Sequence, residues 1–265
     1  MLVVLKSKEM TVLKKVLLSL SLGALGMSFL LPCFAAAPAK ISAVAPIADL
    51  VAECDARIKV LDEALASDKS YLESKGKKIP EEASVLAVLA QAVAESEDKA
   101  DWQPSAANLR DAAMALAKTK TYDDAKKEFA AVKEAHSGKA TGAKVEYEWN
   151  KLSKLGILMN QVSSRNNKFR RVTKKDASDA ESAEYARDAT VSAVLALAIQ
   201  EDTHEVKSKK PEDIELWKKF GKDFQAEMTA VSAAYKKKDK TGAAAAWKKA
   251  SAVCNDCHGK FKENE

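Results

Sequence analysis

Five residues near the C-terminus, Cys254-Asn255-Asp256-Cys257-His258, restrict what this chain can fold into more than any other stretch of it. Two thiols at this spacing can add to the two vinyl groups of haem and form thioethers. The histidine that follows can then reach the iron. On a helix, His258 lies one turn beyond Cys254, so all three side chains can grip one flat macrocycle. The pattern therefore calls for a helix, an adjacent slot and a covalently held haem c, one per chain. Other readings fit less well. A zinc site would need a fourth ligand and usually a second Cys/His pair. The remaining cysteines, Cys33 and Cys54, are isolated. A thioredoxin-like Cys-X-X-Cys would sit beside a βαβ pattern, and none is evident.

The N-terminus points to export. Lys14 and Lys15 precede an apolar run from Val16 to Leu31, followed by Pro32 and Ala35-Ala36-Ala37. This is the order of a secretory signal over residues 1–37. The run of 16 residues is short of the roughly 20 that span a bilayer, so no stable membrane span is expected. Pro32 directly before Cys33 fits a lipoprotein site poorly. Haem of this type is attached outside the cytoplasm, so the expected compartment in a bacterium is the periplasm.

Charge narrows the partners. The whole chain carries a formal +5, but residues 1–37 hold four lysines and one glutamate, so the remainder is near +2. Lysines and acids are interspersed, as on solvated helix faces, and nothing supports nucleic-acid binding. With two cysteines committed to haem, a disulfide framework is excluded and Cys54 reads as a small apolar helix residue.

The 228 residues after position 37 read as all-α. Glycine and proline are sparse and no alternating strand pattern persists. Helices are expected at about 47–75, 81–99, 104–118 and 121–137, then at 145–171, 178–207, 211–237 and 241–263. Pro80, Pro104 and Pro211 mark helix starts, and residues 139–144 read as a linker. The halves resemble each other. Residues 85–95 match 191–201 without a gap at seven of eleven positions. Aligning His136 with His258 places Val132 on Cys254 and Ala135 on Cys257. The expected architecture is two tandem four-helix bundles: a degenerate, haem-free one over 45–140 and a haem-binding one over 145–265. In the last helix Ala243, Trp247, Ala250, Cys254, Cys257 and Phe261 form an inward seam. In the first half Ala125, Phe129, Val132 and His136 form a similar stripe, in which His136 reads as a remnant.

With Cys254, Cys257 and His258 followed by Gly259-Lys260-Phe261-Lys262 near the end of a helical chain, residues 145–265 resemble the class II c-type cytochromes, the cytochrome c′ family. The chain departs from that family in its length, which leaves the first half unexplained. The resemblance implies that His258 is the proximal axial ligand and that the first helix of the second half covers the opposite face. That helix carries Leu155, Leu158 and Met159. Met159 as sixth ligand would stabilise ferrous iron and suit electron transfer. An apolar cover would leave a five-coordinate iron open to small gases such as nitric oxide or carbon monoxide. Met228 and His204 are weaker candidates. The expected function is single-electron transfer to a redox partner protein, with gas binding or sensing as the alternative. A third reading makes the first half a docking module. Catalysis is not expected, because the other histidines, His136 and His204, form no distal acid/base pair. The family's habit of dimerising implies either a homodimer or a pseudo-dimer within one chain.

Overall fold

Side-chain caps or prolines start several of the helices of this chain. The computed structural model describes residues 40–262, and those residues are helical throughout their regular structure, with no strand among them. The helices are α1 (Ile41–Val44), α2 (Ile47–Ala64), α3 (Asp68–Ser74), α4 (Lys78–Glu95), α5 (Ala106–Leu116), α6 (Tyr122–His136), α7 (Leu155–Val172), α8 (Asp179–Glu201), α9 (Pro211–Lys236) and α10 (Lys240–Phe261). Short 3-10 turns lie at Gln103–Ser105 and Trp149–Lys151. The Thr121 hydroxyl accepts the Asp124 N–H at the start of α6. Ser178 and Glu181 form a reciprocal capping box on α8, and Asp239 accepts the Gly242 N–H on α10. Pro211 is the first residue of α9, where its missing N–H is not needed. The signal segment expected over 1–37, with Cys33, lies outside the described residues.

Three expected helices differ most, and one of them, expected over 178–207, ends at Glu201. The segment 47–75 is broken at Leu65–Ser67 rather than continuous. Ser67 adopts an extended backbone and its hydroxyl accepts the Ser70 N–H, which ends one helix and caps the next. The helix expected from 145 begins only at Leu155. Residues preceding it are held by the first half instead. Arg110, 1 % exposed on α5, donates to the carbonyls of Lys144 at 2.9 Å and Val145 at 3.2 Å, and to Gln91 Oε1 at 2.7 Å. Its guanidinium lies 4.4 Å from the Tyr147 ring centroid. Trp149 Nε1 then donates to Glu95 Oε2 at 3.1 Å. Carbonyls engaged by a side chain from elsewhere in the chain are lost to a local helix.

The packing places α4 and α8 at the centre. Every residue from Ala83 to Val93 and from Ala189 to Ile199 is buried. A helix apolar on all faces must be surrounded, and each of these is. The two segments that match in sequence therefore lie in the two central helices, which also pack against each other. In the first half α2 packs on α4, α4 on α5, α5 on α6, and α6 back on α2. In the second half α7 packs on α8, α8 on α9, and α9 on α10. Helices α7 and α10 make no comparably close backbone approach. Their side chains bridge the gap at one level, where Trp247 Nε1 donates to Asn166 Oδ1 at 2.7 Å.

One cluster of buried apolar residues runs through both halves. Polar ties cross the same boundary. Arg57 on α2 pairs with Glu53 at 3.2 Å and with Glu82 on α4 at 2.8 Å, and Glu53 also faces Arg187 of α8 at 3.4 Å. Helix α8 meets α9 through Gly221. A Cβ there would stand 2.5 Å from Gln200 Cβ, so only glycine permits this approach. Among the described residues no helix is long and apolar enough to cross a membrane.

Candidate functional site

The gap between α7 and α10 is a cavity of about 500 Å³, within the range of about 300–1,000 Å³ usual for cofactor and ligand sites. The seam of α10 leads into it. Ala243 and Ala250 are fully buried, and Cys254, Cys257 and Phe261 are partly buried against the core. Cys254, Cys257, His258 and Phe261 all line the cavity. His258 stands on the exposed side of α10, one turn beyond Cys254. On the α7 wall are Leu155, Met159 and Val162, and Trp217 of α9 adds a third side. Polar groups sit at the mouth: Asn160 and Ser163 on α7, Glu205 and Lys207 in the α8–α9 loop, and Lys262 past α10.

A deeper recess of about 50 Å³ adjoins the same cysteines. Its walls are apolar: Val162, Ala196, Ile199, Phe220, Phe224 and Val253. Trp217 is locked beside it by donating Nε1–H to the Ile199 carbonyl at 2.9 Å, and packs edge-on to Phe261 with centroids 5.4 Å apart.

Burial sets the chemistry of the two sulfurs. It pushes the Cys254 thiol up to about 11, and does the same to Cys257, with the neighbouring Cys254 adding to the rise. Both are therefore S–H at neutral pH. The burial disfavours the thiolates that thiol–disulfide exchange needs. Among the described residues no group of three or more His, Cys, Asp or Glu side chains could hold a metal ion. The donor set is instead two neutral thiols side by side, one imidazole a turn away, apolar walls and a polar mouth. These features fit a flat, largely apolar macrocycle with a polar edge.

Met159, singled out from the sequence as a sixth ligand, lines both the cavity and its recess, on the helix across from the cysteines. The other candidates lie elsewhere. Leu158 and Met228 are 1 % and 2 % exposed in the core and line neither space. His204 is exposed in the α8–α9 loop between the carboxylates of Asp202 at 2.5 Å and Glu205 at 3.0 Å. His136 donates Nε2–H to Asp55 Oδ1 at 2.7 Å and packs 5.3 Å from the Trp102 ring. Val132 and Ala135, at the aligned cysteine positions, are buried in the closed packing of the first half. Cys54 is fully buried, and desolvation raises its thiol well above the usual value. Among the described residues all three cysteines are unpaired.

Sequence reasoning missed Trp217, Phe220 and Phe224 as walls of the site. Their spacing of three and four along α9 was a signal for one shared face. Nothing local marked Glu205 and Lys207 as its mouth. Comparison with protein-family models, with curated proteins and with solved structures found no match to this chain.

Proposed function

We propose that this chain is an exported c-type cytochrome that carries one covalent haem between α7 and α10 and transfers single electrons. The observation that carries the proposal is the convergence of Cys254, Cys257, His258 and Met159 on one cavity with apolar walls. Cys254 and Cys257 would hold the haem by thioether bonds to its two vinyl groups, with the hydrogen of each thiol ending on the other vinyl carbon, so that attachment would need no external oxidant or reductant. His258, on the same helix, would hold the iron through an imidazole nitrogen. The bound haem supplies an iron that cycles between ferric and ferrous by one electron. Met159 would offer a thioether from the facing helix, which would favour the ferrous state. Val162, Trp217 and Phe261 line the cavity with apolar surface and would keep water from a bound haem, a second lever on its potential.

The tandem architecture belongs to the same proposal. The first half is a four-helix bundle whose ring closes through α6 on α2. The second is a related bundle whose ring stays parted at α7 and α10 to admit the cofactor. The matched helices α4 and α8 pack together as an intrachain pseudo-dimer. The cytochrome c′ likeness of residues 145–265 and the periplasmic location complete the reading, with a redox protein as the partner and no organic substrate transformed.

One observation favours a second reading. The 50 Å³ apolar recess beside the cysteines has room for a diatomic gas. If Met159 only packs, the iron is five-coordinate and the protein binds nitric oxide or carbon monoxide. Optical spectra separate the two. A low-spin reduced spectrum that carbon monoxide does not change supports electron transfer. A high-spin spectrum that shifts with the gas supports gas binding. Replacing Met159 with leucine alters the low-spin spectrum only if its sulfur holds the iron.

A further inference from the structure

The haem-free first half has no role in the function just proposed, yet it lies directly behind the helix that faces the cofactor. Helix α4 packs against α7. The two are tied at two levels. Trp149, just before α7, donates to Glu95 near the end of α4, and Gln161 on α7 donates Nε2–H to Glu81 Oε2 at 3.0 Å near the start of α4. The helices therefore run antiparallel, with α4 as a rail along the back of α7. Gln161 is two residues from Met159, about 200° around a helix. One side chain points at the cavity while the other points at the first half.

Gln161 is itself fixed. Its Oε1 accepts Arg165 Nη1–H at 2.8 Å, and Arg165 lies 3.6 Å from Asp188 of α8. Arg165 is 8 % exposed, so this clamp is shielded from water. On the side of α7 that faces α10, ties among the described residues are fewer, since α10 stands off across the cavity. The Trp247–Asn166 hydrogen bond is the tie there.

We infer that the first half is a brace for the haem site, with Glu81 acting through Gln161 to set the position of α7 and hence of Met159 over the iron. Glu81 and Gln161 are positioning residues, since neither lines the cavity. A loosened α7 leaves the haem attached, because both thioethers and His258 belong to α10. It changes how firmly the sixth position is closed. The inference rests on the haem reading above.

The test uses the full exported chain and compares Gln161→Ala, Glu81→Ala and Glu81→Gln with the unaltered protein. A control, Tyr122→Phe, removes a 3.1 Å hydrogen bond to the Leu65 carbonyl inside the first half without touching α7. Covalent haem is counted, and carbon monoxide affinity for the ferrous form and imidazole affinity for the ferric form are titrated. Both alanine variants should keep one haem per chain and change these affinities by about ten-fold, the scale of one lost charge-assisted hydrogen bond. Glu81→Gln keeps an oxygen acceptor without its charge and should bring the affinities at least part of the way back, and Tyr122→Phe should leave them unchanged. Unaltered affinities in both alanine variants, an equal change in Tyr122→Phe, or no rescue by Glu81→Gln overturns the brace. Absence of haem from the unaltered chain refutes the haem reading instead. Amide exchange along α7 then decides the brace: faster exchange in Gln161→Ala sustains it, and unchanged exchange overturns it.

Discussion

Gly221→Ala sets two effects of opposite sign against each other. Gly221 lies inside α9, where glycine is worse than alanine by about 0.8–1.0 kcal/mol of helix propensity. On that count alone the substitution stabilises. The close approach to α8 argues the reverse. The new Cβ would stand 2.5 Å from Gln200 Cβ, 3.1 Å from its Cα and 3.4 Å from its backbone nitrogen. Carbon pairs rest at about 3.5–4.0 Å, so the overlap is at least about 1 Å against groups that cannot rotate away. The helices must part, at a cost of about 1–3 kcal/mol for overpacking. The net expectation is destabilisation by about 0–2 kcal/mol, together with movement of Trp217, Phe220 and Phe224, which line the site from α9. Gly156→Ala is the reference, since nothing lies within 4 Å of a Cβ there. It should be neutral or stabilising. Urea unfolding of the two variants, followed by circular dichroism, measures both, and the haem spectrum reports the cavity. If Gly221→Ala is stabilised as much as Gly156→Ala and its spectrum is unchanged, the close packing of α8 on α9 is not what positions those walls.

Other consequences can be measured independently. Arg110→Ala removes a buried cation with four acceptors, the carbonyls of Lys144 and Val145, Gln91 Oε1 and Asp111 Oδ1, and should cost about 1–3 kcal/mol for the buried acceptors left unpaired, with trypsin cutting first at Lys144 once the segment before α7 is freed. Unchanged stability would show that this segment is not pinned. The Tyr235 hydroxyl is buried without a hydrogen-bond partner, and burial raises it to about 12. The native state therefore holds that proton longer than the unfolded chain. Stability should be full below pH about 10, the ordinary tyrosine value, and decline from there toward pH 12. Tyr235→Phe should reduce that alkaline loss and be neutral or mildly stabilising at pH 7. In chain expressed without haem, Cys254 and Cys257 should react slowly with iodoacetamide at pH 8 and faster toward pH 11. Rapid labelling at pH 8 would contradict their burial.

Much of the helical pattern could be read from local chemistry. Pro211 and Asp239 start helices where proline and a capping carboxylate belong, and the matched runs at 85–95 and 191–201 are the two central helices because only surrounded helices are apolar on every face. The break at Ser67 was hidden because the apolar spacing continues through Leu65 and Tyr71. A single hydroxyl decides it. The late start of α7 was also out of reach, since the carbonyls of Lys144 and Val145 are engaged by Arg110 from more than thirty residues away. At the site the contrast is similar. Cys254, Cys257 and His258 are adjacent in sequence and declare themselves, and Met159 stood out as the methionine on the facing helix. Trp217, Phe220 and Phe224 come from a third helix, and only the packing of α9 brings them in. The commitment of His136 to Asp55 and Trp102 likewise depends on three separate segments.

Denaturing mass spectrometry of the full-length chain, expressed in a bacterium able to attach c-type haem, tests the haem assignment most directly. The proposal predicts one haem per chain, surviving denaturation and absent after Cys254→Ser/Cys257→Ser. A chain that carries no haem mass under those conditions, or one whose haem survives loss of both cysteines, contradicts it.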